Sequence, residues 1–204
     1  MAPKVDLKRE IDGYRATAGV FRVVTLPPLP YLMIDGSGDP NTAPAFTGAV
    51  ESLYPLAYAL KFASKKQLDR DYVVMPLEGL WWADEMDAFT AQRDKSRWEW
   101  TLLMMIPEWI DDDLFGAAVA RVASASDPVR LHDIRRGVVD EGTCVQTLHV
   151  GSFDDEGEVL RRMHEQFLPA NGLRLTGRHH EIYLSDARKT PPERRRTILR
   201  QPVR

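Results

Sequence analysis

Apolar and polar positions along this chain change period several times, and each change marks an element. From Arg178 to Asp186 they alternate: His179, Glu181, Tyr183 and Ser185 share one face, and His180, Ile182 and Leu184 share the other. That is the pattern of a half-buried strand with a carboxylate at its middle. Val20, Phe21, Val23 and Val24 predict an earlier strand, interrupted by Pro27-Pro28-Leu29-Pro30 and resumed at Tyr31-Leu32-Met33-Ile34. Asp35 to Pro40 reads as a loop by composition. Phe46, Ala49, Val50, Leu53, Ala57 and Leu60 then recur at helical spacing, with Pro55 predicting a kink or a break inside that helix. Tyr72 to Trp82 and Trp98 to Ile106 read as two strands around an acidic hairpin loop from Asp84 to Lys95.

The same order then recurs. A helix over about 111–125, opened by Asp111-Asp112-Asp113, links the first pass to the second. Thr143 to Val150 is a strand. A helix follows with Asp155 and Glu158 at capping-box spacing, a buried stripe of Leu160, Met163 and Phe167, and a stop at Asn171-Gly172. The Glu181 strand and a closing strand over Arg196 to Arg200 complete the pass. Each half therefore reads strand, helix, strand, strand, with repeat one at about 20–106 and repeat two at about 142–203. Ile34-Asp35-Gly36-Ser37 parallels His149-Val150-Gly151-Ser152, and Trp100-Thr101-Leu102-Leu103 parallels Arg196-Thr197-Ile198-Leu199. The expected fold class is α+β: duplicated strand-helix-strand-strand units about a pseudo-twofold, with an antiparallel sheet around a central ligand cavity. The crevice between two such units is where small-molecule sites usually form.

Composition narrows the function. The chain has 204 residues, 44% hydrophobic and 28% charged, which suits one globular domain over 15–204 behind a polar segment at 1–14 that reads as a tail or a first short element. Lys and Arg number 27 against 30 acidic residues, so the basic excess of a nucleic-acid-binding protein is missing. Cys144 is the single cysteine, which excludes an internal disulfide. No apolar leader and no membrane-length run appear, and a soluble cytoplasmic setting is the default expectation. The absence of a Gly-rich phosphate loop predicts no nucleotide cofactor. No metal site is expected: neighbouring strand residues such as His179 and His180 point to opposite faces, and His149 and His164 lack partner spacing. Arg194-Arg195-Arg196 reads as a solvated strand edge.

Several stretches resemble the GyrI-like small-molecule-binding family. They are Pro76-Leu77-Glu78-Gly79-Leu80-Trp81-Trp82, Trp98-Glu99-Trp100-Thr101-Leu102, Gly177 to Asp186, and Thr197-Ile198-Leu199-Arg200-Gln201-Pro202-Val203. The resemblance covers roughly Val20 to Val203 and is nearest to the larger stand-alone members. It implies a ligand cavity between two pseudo-twofold units and an acidic cavity residue that meets bulky, often cationic, aromatic ligands. Glu181 stands at that position, with Tyr183 two residues on. Some stand-alone members resemble hydrolases that open the strained cyclopropane of DNA-alkylating natural products. Regulators of the family carry a helix-turn-helix module ahead of the ligand domain. Fewer than about 20 residues precede the first strand here, too few for such a module.

Two functions are therefore expected for one cavity. In a binding module, Glu181 is the counter-charge, and Trp82, Trp98, Trp100, Met104, Tyr54 and Tyr58 supply adaptable walls. In a hydrolase of strained electrophiles, Glu181 activates or orients water and Tyr183 donates a hydrogen bond to the developing oxyanion. Against both stands an ordinary alternative in which Glu181 pairs with Arg178 or Arg196 and the tryptophans are core.

Overall fold

Eight strands among the described residues form one antiparallel sheet, with the long helices on one of its faces. The computed structural model describes residues 3–83 and 95–204; the expected acidic hairpin loop lies, but for Lys95, outside them. The strands are β1 (Arg22–Thr25), β2 (Leu29–Ser37), β3 (Leu77–Trp82), β4 (Glu99–Met105), β5 (Arg135–Val139), β6 (Thr143–Val150), β7 (His179–Tyr183) and β8 (Arg196–Pro202). Their order in the sheet is β1-β6-β8-β7-β3-β4-β2-β5. That order is a palindrome of roles. From the centre outward, β7, β8 and β6 mirror β3, β4 and β2, so the two units share one topology about a pseudo-twofold between β3 and β7.

The edge strands exchange partners. β1 precedes β2 in the chain but pairs with β6 of the other unit, and β5 precedes β6 but pairs with β2. Sequence reading did not find β5, because Arg135-Arg136-Gly137 lacks an apolar alternation. As an edge strand β5 needs little apolar surface, and charge there discourages further pairing.

Helix α1 (Leu7–Glu10) opens the chain, and α2 (Pro44–Gln67) is the long helix of the first unit. α2 runs without interruption through Pro55, where a kink or break was expected. An interior proline costs about 3 kcal/mol. Around it Leu53, Leu56 and Leu60 are fully buried against the sheet, each contributing about 1.5–3 kcal/mol, and burial wins. Helix α3 (Asp112–Ala125) starts where the acidic triplet predicted: Leu114 N–H donates to the Asp111 carboxylate at 2.8 Å. It buries Leu114, Ala118 and Val122 in the same core as α2. Helix α4 (Glu156–Arg162) continues into a π-helical turn, Met163–Phe167, and a last turn at Leu168–Ala170.

Two sequence expectations change in detail. β3 begins only at Leu77, while Tyr72 makes an isolated bridge to Val5. The Asp35 to Pro40 loop is strand as far as Ser37: Gly36 lies in β2, where a Cβ would sit 2.1 Å from the Trp100 ring. Leu7 of α1 and Tyr14 are buried in the apolar cluster on the face away from α2 and α3, with Leu80, Leu103 and Ile182.

A polar network holds that segment in place. Tyr14 Oη donates to Glu78 at 2.5 Å, and Arg200 donates to the Gly13 carbonyl at 2.7 Å. Gln146 donates to the Arg15 carbonyl at 3.0 Å.

Candidate functional site

Strand alternation decides what the middle of the sheet offers to the helical side. On β7 it aims His179, Glu181 and Tyr183 one way, and on β3 it aims Leu77 and Trp81 the same way. In the β3–β7 register Glu181 lies opposite Gly79 and His179 opposite Trp81. Gly79 is the opening that makes the arrangement possible. A Cβ there would meet Trp81 Nε1 at 2.6 Å and the Tyr183 hydroxyl at 3.2 Å. With no side chain at 79, the Trp81 indole lies along the strand and donates to Tyr183 Oη at 3.0 Å. Tyr183 Oη in turn donates to Glu181 Oε2 at 2.8 Å. The carboxylate's other oxygen, Oε1, lies 3.5 Å from His179 Nε2.

This relay sits in a cavity of about 1560 Å³ between the two units. Its walls are aromatic. Phe46 of α2 stacks on Trp81 at 6.1 Å between ring centres, and Trp98 meets Trp81 edge-on at 5.7 Å. From the second unit, Phe153 meets Tyr183 edge-on at 5.6 Å. Tyr54 and Tyr58 of α2 close one side. Burial, and then the Glu181 charge, push the Tyr183 phenol well above its ordinary value, so it stays protonated and keeps donating. Burial, and then His179, pull His164 down to about 4, so this cavity-lining imidazole is neutral near pH 7.

The residues expected from sequence divide into wall and core. Glu181, Tyr183, Trp98, Tyr54 and Tyr58 line the cavity. Trp82 lines its rim but packs against the cluster on the opposite face, with the Arg178 guanidinium 3.5 Å above its ring. Trp100 and Met104 are core: Trp100 is 0% exposed, edge-on to Phe46 at 5.3 Å, and covered by Gly36. The aromatic wall falls instead to Trp81, Phe46 and Phe153, which the sequence analysis did not single out. Their signals were present but weak. Trp81 has the same alternation phase as Gly79, yet only the pairing of β3 with β7 puts that phase beside Glu181. His179 shares the Glu181 face and His180 the other, as alternation requires. Cys144 is buried, and burial pushes its thiol up to about 12, as befits a structural residue.

A pseudo-twofold pair of strand-helix-strand-strand units with an aromatic cavity across the centre defines a small-molecule-binding domain. The chain belongs to the family of the GyrI-like small molecule binding domain, whose model matches residues 20–204. Among solved structures it is similar to an uncharacterized conserved protein from Listeria innocua, at 37% identity and a TM-score of 0.89. That match covers 98% of this chain and 100% of the other. It is also similar to a hydrolase from Listeria innocua, at 36% identity and a TM-score of 0.86 over 98% of this chain and 100% of the other. A further Listeria innocua structure described as a hydrolase gives 36% identity and a TM-score of 0.88, over 99% and 100% of the two chains. Comparison with curated protein sequences finds no match.

Proposed function

We propose that the protein hydrolyses a flat, electrophilic aromatic compound held in the cavity, with Glu181 as the base that activates water. The observation that carries this reading is the Trp81–Tyr183–Glu181 relay inside aromatic walls. It fixes one carboxylate oxygen, Oε2, of a residue that lines the cavity. Similarity to structures described as hydrolases supports the same direction. The Trp81–Tyr183–Glu181 relay ends on a carboxylate base and holds no serine or cysteine nucleophile, so in this reading attack falls to water itself. The electrophile must then be activated already, as a strained ring conjugated to a carbonyl is. Glu181 takes a proton from water as the oxygen attacks the strained carbon. The ring bond breaks, its electron pair passes to the carbonyl oxygen, and that oxygen takes up a proton.

Tyr183 acts differently from an oxyanion donor in this scheme. Its single proton is committed to Glu181 while its oxygen accepts from Trp81, so it positions the carboxylate. A second reading, sequestration of cationic aromatic compounds, is favoured by the same carboxylate beside aromatic rings. The charges around the cavity weigh against it: six basic side chains line it against the four acids Glu156, Glu165, Glu181 and Asp186.

The test is to incubate the protein with a cyclopropane-bearing conjugated dienone and follow the compound by chromatography and mass. Ring-opened product carrying one added water, absent with Glu181→Gln, is the expected result. A compound that binds and returns unchanged would leave sequestration as the function.

A further inference from the structure

His179 is 7% exposed and lines the cavity beside Glu181, yet neither of its ring nitrogens has a hydrogen-bond partner among the described residues. Its Nε2 faces Glu181 Oε1 at 3.5 Å, beyond hydrogen-bond reach. Leaving a buried polar group unpaired costs about 1–3 kcal/mol, and one in a cavity wall is open to a water or to a ligand that pairs it.

A second imidazole repeats the feature from another element. His164 Nε2 is buried with no partner among the described residues, and His164 lines the same cavity. It is carried by the π-helical turn Met163–Phe167, an extra-residue bulge that re-aims side chains and often marks functional sites. Burial, and then His179, lower His164 to about 4.

We infer that His179 and His164 form a hydrogen-bonding subsite that reads an oxygen substituent, a hydroxyl or carbonyl, on the aromatic ligand. An imidazole ring nitrogen can hydrogen-bond to such an oxygen and gives an alkyl group nothing. The subsite lies next to Glu181, so a ligand oxygen seated there fixes which part of the ring system meets the carboxylate. His179 and His164 are specificity-determining residues, and this assignment rests on the cavity being the ligand site but not on turnover.

Two matched probes test it: 2-naphthol and 2-methylnaphthalene, with affinities measured by equilibrium dialysis near neutral pH. The wild-type protein should prefer the hydroxyl compound by about three- to tenfold, the yield of one net hydrogen bond. His179→Leu should abolish that preference while leaving 2-methylnaphthalene affinity unchanged, and should raise the melting temperature by removing the unpaired nitrogens. His179→Gln, whose amide nitrogen can stand in for Nε2, should keep the preference. Should His179→Leu fail to fold, His164→Leu carries the test and should reduce the preference. An unchanged preference in the folded leucine variants, or equal weakening of both probes, overturns the subsite and makes these histidines packing residues. If the wild-type protein binds neither probe, the aromatic-cavity reading fails and the subsite with it.

Discussion

His180 Nε2 lies 3.0 Å from Glu78 Oε2, and both side chains are fully buried. The pair bridges β7 and β3, the two strands that meet at the pseudo-twofold, on the sheet face opposite the cavity. His180 Nδ1 reaches Glu141 at 3.0 Å, and Arg200 donates to the same carboxylate at 2.8 Å. Tyr14 and Tyr31 donate to Glu78. Two carboxylates thus face two cations with their remaining lone pairs hydrogen-bonded, the condition under which a buried ionic cluster holds together. The cluster fastens one unit to the other and both to the N-terminal segment.

This cluster sets a pH window for stability. Burial disfavours the His180 proton, but Glu141 and Glu78 outweigh it and push His180 from 6.5 up to about 9. Its contribution is therefore fully present below pH 6.5 and lost as pH rises through about 9. Burial raises Glu141, but His180 and Arg200 outweigh it and bring the carboxylate from 4.5 down to about 2. That contribution is present above pH 4.5 and lost as pH falls through about 2. Urea midpoints measured across pH should plateau between about 4.5 and 6.5 and decline on both sides. His180→Ala should cost about 3–5 kcal/mol near neutrality by leaving Glu78 uncompensated, and should flatten the alkaline decline.

Glu181→Gln removes the cavity charge while keeping its volume. The variant should fold with an unchanged urea midpoint and lose turnover of a cyclopropane-bearing dienone, with binding retained. Cationic aromatic dyes should weaken by about 1–3 kcal/mol, while neutral ones of the same shape hold. Equal weakening of both classes would make the effect one of shape.

Gly79→Ala tests the relay from its foundation. The added methyl would stand 2.6 Å from Trp81 Nε1, so the indole must swing off Tyr183. Overpacking of this kind costs about 1–3 kcal/mol. Near-UV circular dichroism should change, and kcat should fall by more than KM rises, because Glu181 loses its orientation. A wild-type spectrum and rate would show that Trp81 does not hold Tyr183.

Trp98 and Trp100, two residues apart, should behave as opposites. Trp100→Ala should cost about 3–5 kcal/mol in a urea titration, since the ring is wholly enclosed under Gly36. Trp98→Ala, which opens a cavity wall, should cost about 1 kcal/mol or less and weaken aromatic-dye binding at least tenfold. A dye affinity unchanged in Trp98→Ala would remove Trp98 from the wall.

Periodicity by itself determined the strands, the long helices and their repeated order, because a buried face imposes its period of 2 or 3.6 on the residues that pay for it. It also placed His179, Glu181 and Tyr183 on one face and His180 on the other. It determined no partner for either face, because pairing between strands distant in the chain leaves no local trace. Only the tertiary structure set β7 against β3, putting Gly79 opposite Glu181 and Trp81 within reach of Tyr183. Only it separated Trp98 from Trp100, which alternation treats alike: Trp100 is wholly buried in the core under α2, while Trp98 is only partly buried against that core and lines the cavity. β5 and the π turn that carries His164 were equally unreadable, since an edge strand needs little apolar patterning and one inserted residue leaves a helical stripe nearly intact.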